Sequence, residues 1–323
     1  MDNKKIFRKT KSTEFILLVI LVAMAACITV ATIIVSGKNN FLTGNNVSNI
    51  VRQTSINGVI ALGMTIVIIS AGIDLSVGAV VGFSGVLVAL LMQKFGMAPL
   101  AAIVITIPVS TLIGLFNGIV IYDGKVPPFI ATLGTMTAVR GLIMLITNAR
   151  MVSGLPKSFT NFAQMSFLGI PALFLVWLAI ILLTAFIVKY TRFGRNVYAI
   201  GSNMEAARLS GINVRLATYG VYVYCAFLCS IAGIMMTTRL GNGVPTGGTG
   251  FETDAIASAV IGGASLAGAE GTVLGTILGA IIMQTFRNGG NLLGINSHLM
   301  EVVIGLLIIG AVLLDKRRKG RAV

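Results

Sequence analysis

Residues 61–78 read ALGMTIVIISAGIDLSVG. An apolar run meets glycine, aspartate and serine, and a second apolar run follows at once. Between Ile56 and Leu91, Asp74 is the one acidic residue. A bilayer crossing takes about 20 apolar residues, so this stretch is two crossings joined by a tight polar turn.

Outward from this junction the pattern repeats. Apolar runs fall at 14–35, 52–72, 75–94, 98–122, 128–148, 169–190, 216–238, 254–268, 271–288 and 297–315. The eighth is short, as expected of a half-helix or re-entrant segment. The expected fold class is all-α: a polytopic integral membrane protein of about ten transmembrane helices. No long polar linker divides the runs, so 1–323 is one transmembrane domain. The run after the basic N-terminal residues is about twice the length of a signal-peptide core and is expected to remain as the first span.

Composition agrees. Of 323 residues 56% are hydrophobic and 11% charged, with mean hydropathy +0.95. A soluble fold would expose apolar patches well beyond the few hundred Å² that monomers tolerate. The net charge of +14 does not form a nucleic-acid stripe. Lys4, Lys5, Arg8, Lys9 and Lys11 stand at one end and Lys316, Arg317, Arg318, Lys319 and Arg321 at the other. Basic residues mark cytoplasmic segments, so 1–13, 191–215 and 316–323 are expected in the cytoplasm. Ten crossings satisfy this, and leave only Arg150, Lys157 and Arg239 in the 149–168 and 239–253 loops outside. Cys27, Cys225 and Cys229 lie in apolar runs without polar donors nearby, which suits packing better than metal binding.

Glycines four apart let membrane helices approach closely. Gly271, Gly275 and Gly279 form one such ladder, Gly78 and Gly82 a shorter one. GIDLSVG (72–78) and GASLAG (263–268) each join two apolar runs, an echo that an internal duplication would leave.

Residues 201–211, GSNMEAARLSG, are polar. Ser202 with Glu205 three residues later has capping-box spacing, and Gly211 can take the left-handed turn that ends a helix. A helix of about two turns cannot cross a bilayer and is not stable alone. It lies on the headgroups or docks on a cytoplasmic partner.

Polar residues within the spans are candidates for the substrate path. Ionisable groups at membrane depth are expensive and point to function, so Asp74, with Ser76 beside it, is either a gate or the cap of the third span. After Pro127 and Pro128 come Thr132, Thr135, Thr137 and Arg140; threonine hydroxyls can meet sugar hydroxyls or bond back to their own helix. Asn288 and Asn291 flank a glycine pair and are path or turn residues. Glu252 and Asp254 suit a helix N-terminus, or an external gate. No phosphate-binding loop is present: Gly37-Lys38 and Gly124-Lys125 lack the spacing and the hydroxyl. His298 is the one histidine, and no catalytic set can be assembled around it.

ALGMTIVIISAGIDLSVG (61–78), PPFIATLGTM (127–136), TRFGRNVYAIGSNMEAARLSGINV (191–214), PTGGTGFETDAIASAVIGGASLAGAEGTVLGTILGA (245–280) and NLLGINS (291–297) resemble, in unbroken order, the ribose-type monosaccharide permeases of bacterial ATP-binding-cassette importers. The similarity runs from about Phe41 to Asp315. Glu205, Ala206, Ala207 and Gly211 match the EAA loop of such permeases, although the Ile-x-Leu-Pro continuation is missing. The resemblance implies a coupling helix there, a separate cytoplasmic ATPase carrying ATP and Mg, an extracytoplasmic sugar-binding protein and a second permease copy. The chain itself is then a transport subunit of the cytoplasmic membrane without a cofactor, and not an enzyme. The rival readings are a branched-chain amino-acid permease, an ion-coupled secondary transporter and an intramembrane enzyme. The sequence does not name the sugar.

Overall fold

A computed structural model describes residues 3–320, with side chains from 13 to 313. The terminal basic residues therefore lie outside the described side chains. The chain forms α1 (Asn3–Ser36), α2 (Gly44–Ile69), α3 (Val77–Gln93), α4 (Pro99–Tyr122), α5 (Pro128–Thr147), a short α6 (Lys157–Thr160), a 3-10 turn (Asn161–Ala163) and a small hairpin of β1 (Ser166–Phe167) and β2 (Ile170–Pro171). There follow α7 (Ala172–Tyr190), α8 (Arg192–Ser202), α9 (Met204–Leu209), α10 (Val214–Leu240), α11 (Phe251–Ile261), α12 (Val273–Leu292) and α13 (Ser297–Gly320). Each of the ten expected spans corresponds to a helix. Among the described residues α1, α2, α4, α5, α7 and α10 are long and apolar enough to cross a membrane, and α3 and the described part of α13 are shorter apolar helices. The helix of α1 already includes residues from Asn3, so the basic segment is helical ahead of the apolar span at Thr13–Ser36.

Local chemistry sets the ends. Thr43 accepts from the Asn46 amide at the start of α2, and Thr272 from the Gly275 amide at the start of α12. Pro99 and Pro128 occupy first turns, where their missing N–H leaves no bond unmade.

The bundle consists of two interlocked four-helix units, α2–α5 and α10–α13. Helix α10 packs between α3 and α4 of the first unit, and α2 between α11 and α12 of the second. Within the units, α3 meets α4 and α5, and α11 meets α12 and α13. Helices α2 and α12 run antiparallel: Asn46 pairs with Asn288 and Thr65 with Thr276. The segment equivalent to 70–76 is thus 241–250, between the first and second helices of the other unit. This corrects the echo seen in the sequence. GASLAG joins second to third helices, although it does meet the first junction in space, where the Ala269 amide donates to the Ile69 carbonyl at 2.8 Å.

The eighth span is shorter than its sequence suggested. Helix α11 ends at Ile261 after 11 residues. The chain reaches it through 243–250, GVPTGGTG, expected as a loop outside the membrane. Instead this segment descends along α3. It pairs at its top with Val152, passes Ala89, and reaches Gly78, where a Cβ on Gly248 would stand 2.4 Å from the Gly78 carbonyl oxygen. Gly248 and Gly250 have φ of +74° and +84°, which glycine adopts without steric cost. Non-helical backbone at this depth is tolerated only where protein covers it, and α3 is that cover.

Candidate functional site

Two regions gather the candidate residues. The first is the α8–α9 platform. Thr191 caps α8 by accepting from the Gly194 amide at 3.2 Å. Val197 and Ile200 bury its inner face. Tyr198 donates to the Gly271 carbonyl at 2.7 Å. Helix α8 was not foreseen from the sequence. Its buried Val197 and Ile200, set between Arg192, Arg195 and Asn196, are the amphipathic signal that could have revealed it.

Helix α9 is capped differently from expectation. Ser202 is the last residue of α8, and Asn203, with extended backbone, accepts from the Ala206 amide at 2.9 Å. Asparagine caps as well as serine does, so the break falls one residue later. Glu205 does not close a capping box; it pairs with Arg208 at 3.1 Å, both exposed. Ala207 is buried against the platform while Ala206 faces out. Gly211, at φ +82°, ends the helix as expected, with Ile212 donating back to Ala207. The outer face shows Leu209 at 87% exposure. Beside α9, the C-terminal end of α4 is tied to the start of α10. Asp123 accepts from Arg215 at 3.0 Å and from Tyr219 through a very short contact. The Tyr219 hydroxyl first, and Arg215 after it, hold the Asp123 carboxyl below the usual carboxylate range.

The second region lies inside the bundle. Asp74 Oδ1 accepts from the Ser76 amide at 2.8 Å and the Ser76 hydroxyl at 2.6 Å. Asn117 donates to Ser76 Oγ at 2.9 Å, and Thr135 to Asn117 Oδ1 at 2.6 Å. Thr132 accepts from the Leu75 amide at 3.1 Å and donates to the Pro128 carbonyl. All five side chains are buried. The structure therefore joins Asp74, Ser76, Thr132 and Thr135, and adds Asn117, which sequence reading missed. Its signal was a single carboxamide within the apolar α4.

Asn288 and Asn291 stand elsewhere. Asn288 exchanges two hydrogen bonds with Asn46 near the start of α2, and Asn291 is exposed in the last turn of α12. Gln284 bridges Gln53 and Asn57 one turn further in. Around the start of α11, Arg287 pairs with Asp254 at 2.6 Å, and Arg140 donates to the Gly247 carbonyl at 2.6 Å. Among the described residues no His, Cys, Asp and Glu group converges as metal ligands.

A family model described as branched-chain amino acid transport system / permease component matches residues 46–312. The chain belongs to this permease family. The permease is 42% identical to the ribose import permease protein RbsC of Bacillus subtilis (strain 168), over 90% of both chains. It is 40% identical to the D-allose transport system permease protein AlsC of Escherichia coli (strain K12), over 85% of both. With the xylose transport system permease protein XylH of the same strain it shares 34%, over 98% of this chain and 95% of the other. No solved structure matches the permease.

Proposed function

We propose that this permease is the membrane-spanning subunit of an ATP-binding-cassette importer that moves a monosaccharide of the ribose, allose or xylose class into the cell. The observation that carries this reading is the match to relatives named for those three sugars, which runs over most of the chain. The family description names branched-chain amino acids, but these relatives favour a sugar. The chemistry is then differential stabilisation of inward- and outward-facing states, with no covalent step.

Two copies enclose the path. A separate ATPase docks from the cytoplasm on the outer face of α9, and a sugar-binding protein delivers from the other side. Both termini face the cytoplasm of a bacterial cell, as the terminal basic residues favour. Alkaline phosphatase fused after Lys157 is expected to be active and after Asp315 inactive; the reverse would overturn this orientation.

The decisive experiment reconstitutes the permease with candidate ATPase and binding-protein partners in proteoliposomes. Labelled ribose, allose or xylose is expected to accumulate with ATP, unaffected by a protonophore. Uptake that follows an ion gradient without ATP would replace this reading with secondary transport.

A further inference from the structure

Glu252 sits in the first turn of α11, inside the bundle. Its Oε1 accepts from the Gly250 amide at 3.2 Å. Its Oε2 is buried and has no hydrogen-bond partner. A buried carboxylate oxygen left unpaired forfeits its hydration without a replacement, so such an atom in a native protein calls for an explanation. Arg140, on α5, is its counterpart. Among the described residues the guanidinium makes one hydrogen bond, to the Gly247 carbonyl, and no ion pair with Glu252 within bridging distance.

Both groups lie against the same face of α3. A Cβ on Gly78 would stand 2.3 Å from Glu252 Oε2, and a Cβ on Gly82 would stand 2.9 Å from Arg140 Nη1. Residues four apart on a helix are about 5–6 Å apart at Cβ. The carbonyls of Gly248 and Gly247 pack on the same two glycines, 2.3 and 2.7 Å from those Cβ positions, so the anion and the cation stand about one helical turn apart on α3 with the 247–248 backbone against it. Asp254 is already satisfied by Arg287, so it does not compete for Arg140. The face of α5 beside Arg140 carries exposed Gly134, Thr137 and Gly141. A half-buried arginine at this depth fronts water or protein, since lipid would not solvate it.

We propose that Arg140 and Glu252 are the gate of the translocation path: a shift of α11, together with the 247–250 segment that leads into it, against α5 joins them as an ion pair and closes it. The present structure is the parted state. This rests on the transport function proposed above. The unpaired Oε2 gains its partner in the closed state, and this differential contact is what lets one state be favoured over the other.

The test uses the assembled complex in proteoliposomes, with two readouts. One is passive efflux of preloaded erythritol, a small neutral polyol; the other is ATP-driven sugar uptake. Glu252→Gln and Arg140→Gln keep shape and hydrogen bonding but lose the charge. Each is expected to raise efflux about tenfold, within the usual range for coupling between two states, and to abolish accumulation. The swap Arg140→Glu with Glu252→Arg should reseal the vesicles toward wild type. Single variants that neither leak nor lose uptake would overturn the gate, as would an assembled swap no better than the worse single. Should the swap fail to assemble, Arg140→Lys decides. A charge gate seals with lysine and leaks with glutamine, whereas a merely structural role in holding Gly247 treats the two alike. Wild-type complex that takes up no monosaccharide would refute the transport reading, yet the erythritol comparison would still decide the gate.

Discussion

Arg287 holds Asp254 from one side: both its Nε (3.0 Å) and its Nη2 (2.6 Å) reach the same carboxylate oxygen. The pair locks the start of α11 to α12 and is nearly closed to solvent on the aspartate side. Asp254→Ala would leave the arginine without its partner, and breaking a buried pair costs about 3–5 kcal/mol. Replacing both partners, as Asp254→Leu with Arg287→Met, should cost much less, because no charge is left alone. Thermal unfolding of the detergent-solubilised protein checks the order. Equal losses for the single and double variants would mean that the pair contributes by shape alone.

Asp74 uses one oxygen for both of its bonds to Ser76. Asparagine offers the same oxygen in nearly the same shape. Asp74→Asn is therefore expected to assemble and transport close to normally, and Asp74→Ala to lose roughly 1–3 kcal/mol of stability, the desolvation of the stranded Ser76 groups. Uptake per assembled complex is the measurement. An asparagine variant that assembles fully and takes up little sugar would return Asp74 to the gate, with its charge required.

The Asp123–Tyr219–Arg215 tie carries its own pH signature. The Asp123 carboxyl is held below its usual range, so its stabilising contribution is fully present above the ordinary carboxylate value. It is lost only as pH falls through the lower folded value. From pH 8 to 5 the melting difference between wild type and Asp123→Asn should hold constant. It should close only well below the reference value of about 3.9. A difference that already shrinks between pH 7 and 5 would place the tie elsewhere.

On α9, the cap and the terminus matter more than the motif glutamate. Asn203→Ala removes a bond worth about 1 kcal/mol, and Gly211→Val forces a branched side chain to a positive φ. Both should weaken co-purification with the ATPase and uncouple hydrolysis from uptake. Glu205→Ala loses only an exposed pair, worth about 0.2–1 kcal/mol at most, so any large effect of that change would have to act on the partner, not on the helix. Leu209→Ser tests the docking face directly. Normal coupling in all four variants would remove α9 from the interface.

The spans were legible because lipid demands long apolar runs, and the runs at Phe15, Ala172 and Val214 have no other use. Gly211 was legible because few residues accept its backbone angle. The descending segment 243–250 was not, because PTGGTG has the same turn chemistry whether water or α3 surrounds it. The end of α11 was blurred because GASLAG is small and weakly apolar, and it extended the run past Ile261. Helix α8 was hidden by its arginines, which lower hydropathy on the face that does not pack. In the inner cluster, Asp74 and the two threonines were readable as polar atoms in apolar surroundings. What joined them was Asn117, a contact made across helices that no local pattern encodes.

Helix α11 is about 16 Å long, half of what a hydrocarbon layer of about 30 Å asks for. The segment leading into it is irregular, glycine-rich backbone covered by α3, by Arg140 of α5 and by Met236 of α10. During synthesis, residues 243–261 therefore cannot partition into lipid as an independent hairpin. They must wait beside a completed first unit and be threaded against it. The last quarter of the polypeptide then matures late, and the chain is exposed to quality control until that docking is done.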